Sequence, residues 1–218
     1  MPRNVSFVGS WAGAVLAAGT ALVLVGCATS GDATEPEPTA AVTAAPTPVE
    51  TPTATPTVAP VAVDPADVST WTITTSGIGP IQRGASAEAA IAELTAFESE
   101  EYCPGIVQLS TEGSASMLLT HPEGADAIGG VWANGRADAE GVVPASPKTE
   151  TGVALGSTMD ELAAAYPDLA PSNQTGAESY GYAAGDEASG YLNFLVENDV
   201  VVMIGVQDRA GIPKEFCG

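Results

Sequence analysis

The chain has 218 residues, with 27 Asp and Glu against six Lys and Arg, a formal net charge of -21 and one histidine. That balance argues against a nucleic-acid partner, because a phosphate backbone is held by clustered Lys and Arg. It fits a solvated acidic surface and leaves a cationic partner open.

The first stretch, from about Val5 to Val25, is apolar with Arg3 as its only nearby charge, and it closes on Leu24-Val25-Gly26-Cys27. This string matches the lipobox of bacterial lipoproteins in letters and position. The match implies that residues 1–26 are a signal peptide, that Cys27 becomes thioether-linked to diacylglycerol, and that everything after it is displayed outside the cytoplasmic membrane on a lipid anchor. The alternative is an uncleaved transmembrane helix, since roughly 20 apolar residues span a bilayer. Ala12, Gly13, Ala14, Ala17, Ala18 and Gly19 dilute the run, and in either case the remainder faces outward.

Residues 27–67 read as a spacer. From Ala28 to Asp67 the chain carries eight prolines and nine threonines and no aromatic residue, so it cannot bury enough apolar surface to offset its ordering entropy. In extended polyproline form, at about 3.1 Å per residue, such a segment lifts a domain roughly 100 Å from the membrane.

The folded part begins near Val68 and reads as two α/β units, 68–140 and 141–218, in one fused region. Ile81-Gln82-Arg83-Gly84-Ala85-Ser86-Ala87-Glu88 aligns with Val153-Ala154-Leu155-Gly156-Ser157-Thr158-Met159-Asp160 at an offset of 72 residues. In each copy a glycine permits a turn, and Ser86 or Thr158 can cap a short Ala-rich helix. Glu161 completes a capping box in the second copy. Ala87, Ala90, Ile91, Leu94 and Phe97 share one helical face, as do Met159, Leu162, Ala163 and Tyr166, with Pro167 as the stop. Three short strands follow each helix: 106–110, 116–120 and 127–133, then 179–183, 190–196 and 200–206. The 72-residue offset carries Ile128, Gly130 and Trp132 onto Val200, Val202 and Ile204. Leading strands near Trp71–Thr75 and Glu150–Ala154 complete an α+β expectation in which a helix packs on each three- to four-stranded antiparallel meander.

With Cys27 assigned to the lipid, Cys103 and Cys217 remain in an oxidising compartment and read as a disulfide, free thiols being the alternative. His121 stands alone in a loop, which leaves no metal set and no Cys-His nucleophile. Lys148 and Lys214 lack a Ser-x-x-Lys spacing, and no Walker or dinucleotide loop is present. No catalytic residue, metal or cofactor is therefore expected. The acid runs Glu98-Ser99-Glu100-Glu101 and Asp186-Glu187 read as solvated faces rather than calcium loops. Tyr180, Tyr182 and Tyr191 are the candidate ligand-binding residues, as an aromatic platform, with cross-strand packing as the alternative.

Gly79-Pro80-Ile81 with Gly84, the step Cys103-Pro104-Gly105, the string from Thr151 to Leu162 with Ala165-Tyr166-Pro167, and the closing Glu215-Phe216-Cys217-Gly218 resemble a group of secreted actinobacterial lipoproteins of unknown function. The match covers about residues 70–218. More distantly, the repeated helix start is similar to the tandem units of the β-lactamase-inhibitory protein and to the small lipoprotein of the barrel-assembly machinery, from which the chain departs at Ala85 and Ser157, where those families typically carry Met. That similarity implies paired units and protein binding. The expected function is a non-enzymatic, lipid-anchored binding module for an envelope protein or cell-wall component. The alternatives are a wall-directed hydrolase using acids such as Glu178 or Asp186, or a structural envelope protein without a ligand.

Overall fold

A computed structural model describes residues 63–122 and 124–217. The expected signal peptide, Cys27 and nearly all of the expected spacer lie outside these residues. A single turn of 3-10 helix at Val68–Thr70, capped by the Asp67 carboxylate, leads into three short strands, β1 (Thr72–Thr74), β2 (Gly77–Ile78) and β3 (Ile81–Gln82). Helix α1 (Ala87–Glu93) precedes β4 (Glu98–Cys103), β5 (Ile106–Ser110), β6 (Ser116–Thr120) and β7 (Gly130–Asn134). After β8 (Lys148–Thr149), helix α2 (Met159–Ala165) precedes β9 (Ala170–Gly176), β10 (Ser179–Asp186), β11 (Gly190–Glu197) and β12 (Val200–Gln207).

The expectation of two helix-on-meander units is overturned. The strands form one eight-stranded antiparallel sheet in the order β4-β5-β6-β7-β12-β11-β10-β9, and a separate four-stranded sheet in the order β3-β2-β1-β8. Both helices have only seven residues, so the described region is mostly β. The physical reason is that β7 does not end a unit. It pairs with β12, Val131 opposite Val206 and Ala133 opposite Ile204, and this interior pairing leaves neither half with its own edge there.

Strand alternation divides the large sheet into two apolar faces. On the first face, Leu109, Met117, Ala133, Ile204, Phe194 and Tyr182 follow one another across five cross-strand pairs. Against this row pack Trp71, Ile73, Ile78 and Ile81 of the small sheet and its approach, together with Leu94 and Phe97 at and after the end of α1 and Leu162 from α2. Trp71 and Phe97 rings meet at 5.6 Å, and Tyr166 and Phe194 at 5.3 Å.

The second face carries Ile106, Leu118, Trp132, Leu195 and Met203, and the C-terminal residues cross it as a strap. Fully buried Asn193 accepts from the Gly211 amide at 2.6 Å and donates to the Arg209 carbonyl at 3.2 Å. Gln207 donates to the carbonyls of Arg209 and Gly211. Asn173 of β9 both accepts from and donates to the backbone of Ile212 at 2.9 Å. Phe216 then meets Trp132 edge-on at 5.5 Å, and Cys217 is disulfide-bonded to Cys103 with Cα atoms 6.0 Å apart.

The helix starts follow from local chemistry. Ser86 accepts from the Ala89 amide at 3.0 Å, and Thr158 accepts from Glu161 while the Glu161 carboxylate accepts from the Thr158 amide at 2.8 Å, a reciprocal capping box. Replacing Thr158 by Ala is expected to cost about 1 kcal/mol. An unchanged urea midpoint in T158A would mean that Thr158 contributes no capping energy.

The strand alignment at an offset of 72 needs correction. Gly84 donates to Ile128 and Gly156 donates to Val201, while Ala87 donates to Asp126 and Met159 to Asp199. Equivalent strand positions are thus one residue further apart than the helix positions, Ile128 matching Val201 and Val131 matching Ile204. A one-residue slip exchanges the two faces of a strand, which is why Trp132 points away from the helices whereas Ile204 points toward them.

Candidate functional site

Site construction begins at α1. Gly84 turns the chain with φ +78°, Ser86 caps, and Glu88 in the first turn suits the positive end of the peptide dipoles. The loop between β6 and β7 supplies a second anchor, because the Asp126 carboxylate accepts from the Glu88 amide at 3.0 Å. Its hydrogen bond with the Ser86 side chain, together with that amide, holds the Asp126 carboxyl below the usual range. His121, on the same loop, lies 2.8 Å from the Ala125 carbonyl through Nδ1. A carbonyl only accepts, so Nδ1 carries the proton and Nε2 is left as the acceptor in the neutral ring.

Between α1 and the β4 edge of the sheet lies an open groove of about 540 Å³. Ala87, Ile91 and Ala92 form its helix wall and Val107 its floor, with Glu88, Glu101 and Asp126 at the rim beside His121. None of the described lining residues is Lys or Arg. Ile91 and Val107 are half-buried and pack on the core below. Glu101 sits directly opposite Val107 across the β4–β5 pair, so a carboxylate stands next to an aliphatic side chain on the same face.

The matching position in the other half of the sheet is filled differently. Cross-strand pairs lead from Val131 through Leu119 to Val107, and from the equivalent Ile204 through Phe194 to Tyr182. Tyr182 thus stands where Val107 does, and its ring packs on the core. The recess beside α2 is smaller, about 290 Å³, with Tyr166 and the single carboxylate Asp168 at its wall.

This placement corrects the tyrosine platform. Tyr180 and Tyr182 share the helix-bearing face, opposite Val196 and Phe194, but Tyr191 lies opposite Gly185 and Gln207 on the other face. Tyr180 is 41% exposed with its hydroxyl donating to the Ala177 carbonyl at 3.1 Å, whereas Tyr182 is a half-buried packing residue. The three do not form one surface.

The acids named for hydrolysis are also kept apart. Glu178 precedes β10 and Asp186 ends it, a separation of roughly 25 Å at about 3.3 Å per strand residue, far beyond the ~5–10 Å between paired glycosidase carboxylates. Asp186 accepts from the Ser189 and Ala188 amides and the Ser189 hydroxyl, which lowers its pKa, opposite to what a general acid needs. The run Glu98 to Glu101 is an edge strand whose alternate side chains face opposite ways, so it presents no single ion cage. Among the described residues no group of three His, Cys, Asp or Glu is placed to hold a metal.

Arg83 is the one described cation that reaches into the fold. Its Nη1 donates to the Thr75 carbonyl at 3.0 Å, its Nε is buried without a partner, and the guanidinium lies so close to Gly190 that a Cβ there would collide with it. It joins the small sheet to the β10–β11 hairpin and opens onto no groove described above. No family model, characterised relative or solved structure matches this chain, so the geometry and the sequence carry the functional reading.

Sequence reasoning missed the groove. Ile91 is legible as a helix-face residue and His121 as a lone loop histidine, but the groove they line is completed by Glu101 and Val107, whose pairing depends on the β4–β5 register. The signal that could have found it is the contrast between Val107 and Tyr182, visible once the one-residue slip between the halves is known.

Proposed function

We propose that this protein is a lipid-anchored, extracytoplasmic binding module that holds another envelope protein or a cell-wall component. The observation that carries this reading is the open groove at α1, which pairs an aliphatic floor with a rim of three carboxylates and, among the described residues, is lined by no Ser, Thr or Cys nucleophile. The sequence supports the address: the lipobox string ends at Cys27, and the Pro/Thr-rich spacer gives the folded region reach from a membrane. The similarity to secreted actinobacterial lipoproteins points to the same compartment.

Two measurements test the proposal. Wild-type protein should carry the diacylglycerol mass on Cys27, and Cys27→Ala should remain an unacylated precursor. The same acylated mass in that variant would refute the anchor. Crosslinking of the native, anchored protein followed by mass spectrometry should return a defined partner, a peptide or a wall fragment, and turnover of purified cell wall with no crosslinked partner would replace binding by hydrolysis.

A further inference from the structure

We infer that the groove at α1 takes a basic peptide segment that carries an aliphatic side chain, presented by another protein of the envelope. This rests on the binding reading and names the partner's chemistry. Ile91 of the wall and Val107 of the floor offer half-buried aliphatic surface, and covering it removes apolar area from water, which favours binding. Around it stand Glu88, Glu101 and Asp126. Asp126 already has amide and hydroxyl donors, while Glu88 and Glu101 are exposed with no hydrogen-bond partner for their carboxylates among the described residues. A lysine or arginine on either side of an aliphatic residue would satisfy both requirements at once.

The protein's own chain is a poor occupant. Between Ala28 and Ala62 the spacer carries Asp32, Glu35, Glu37 and Glu50 and no Lys or Arg, so it is repelled from the rim. A second copy brings the same net charge of -21. The occupant that complements this groove is therefore a different, cationic protein. In the other half of the fold the equivalent position is filled, since Tyr182 stands there and packs on the core.

The test uses the full chain and a fluorescein-labelled twelve-residue peptide of alternating Lys and Leu. We expect saturable binding that weakens with added salt. The all-Ser analogue at the Leu positions and the all-Glu analogue at the Lys positions should each bind at least about tenfold more weakly, the loss expected when a central contact is removed. Val107→Tyr, which installs the ring found in the other half, and Glu101→Lys, at an exposed strand position, should each lower affinity by about tenfold or more. Glu187→Lys, on the distant β10–β11 turn, should leave it within about twofold, since rim charges away from a contact act mainly through long-range steering. Affinity unchanged by both V107Y and E101K, with thermal midpoints retained, would overturn the groove assignment, as would equal weakening by E187K, which signals charge attraction alone. If native crosslinking still returns a partner with V107Y at the wild-type yield, the protein binds but not here. If the wild type returns none, the binding reading itself fails.

Discussion

Removing the disulfide, as Cys103→Ser with Cys217→Ser, should lower stability by about 2–5 kcal/mol, read as a fall in the urea midpoint that reductant reproduces in the wild type. The two cysteines are 114 residues apart, and the chain-entropy model gives about 4.7 kcal/mol for closing a loop of that order. The bond also has a local task. It pins the end of the strap beside β4, where Phe216 covers Trp132. A midpoint unaffected by the double substitution would mean that Asn173, Asn193 and Gln207 hold the strap without the bond.

An equally large effect is expected on the same face. Trp132 is 1% exposed and lies directly opposite Gly205 across the β7–β12 pair. A Cβ on Gly205 would fall inside the indole ring, so the glycine is required by close approach rather than by backbone freedom. Trp132→Ala should cost about 3–5 kcal/mol, as burial of a large ring is lost and a cavity is left. Gly205→Ala should cost about 1–3 kcal/mol or more through overpacking. Because the two residues share one space, the double variant should be less destabilised than the sum by about 1 kcal/mol or more. Strict additivity in urea unfolding would show that ring and glycine do not meet.

What could be read from the sequence was set by which side chains are constrained by burial. β5 and β6 are legible to the residue because Ile106, Leu109, Met117 and Leu119 must face a core. The capping box at Thr158 is legible because it is local chemistry. β4 and β9 are not legible as strands: each lies at an edge of the large sheet, the first consists almost wholly of exposed residues and the second holds Pro171 and Asn173, and an edge imposes little apolar alternation. The joining of the halves through β7 and β12 was hidden because strand pairing has no signature in either strand alone. Tyr191 was misplaced for the same reason. Its face depends on a register that no single strand encodes.

The position of β7 and β12 at the middle of the sheet has a consequence for the order in which the chain can be finished. A polypeptide that emerges amino-terminus first delivers β4 to β7 early, yet β7 has no second neighbour until β12 arrives, after Asn134 has been followed by everything up to Val200. During that interval Val131 and Ala133 stand beside an open strand border, the type that recruits foreign strands. The strap comes later still. Completion of the sheet is thus tied to β12 and the strap, and a fragment cut short before β12 would keep the sticky border without the means to close it.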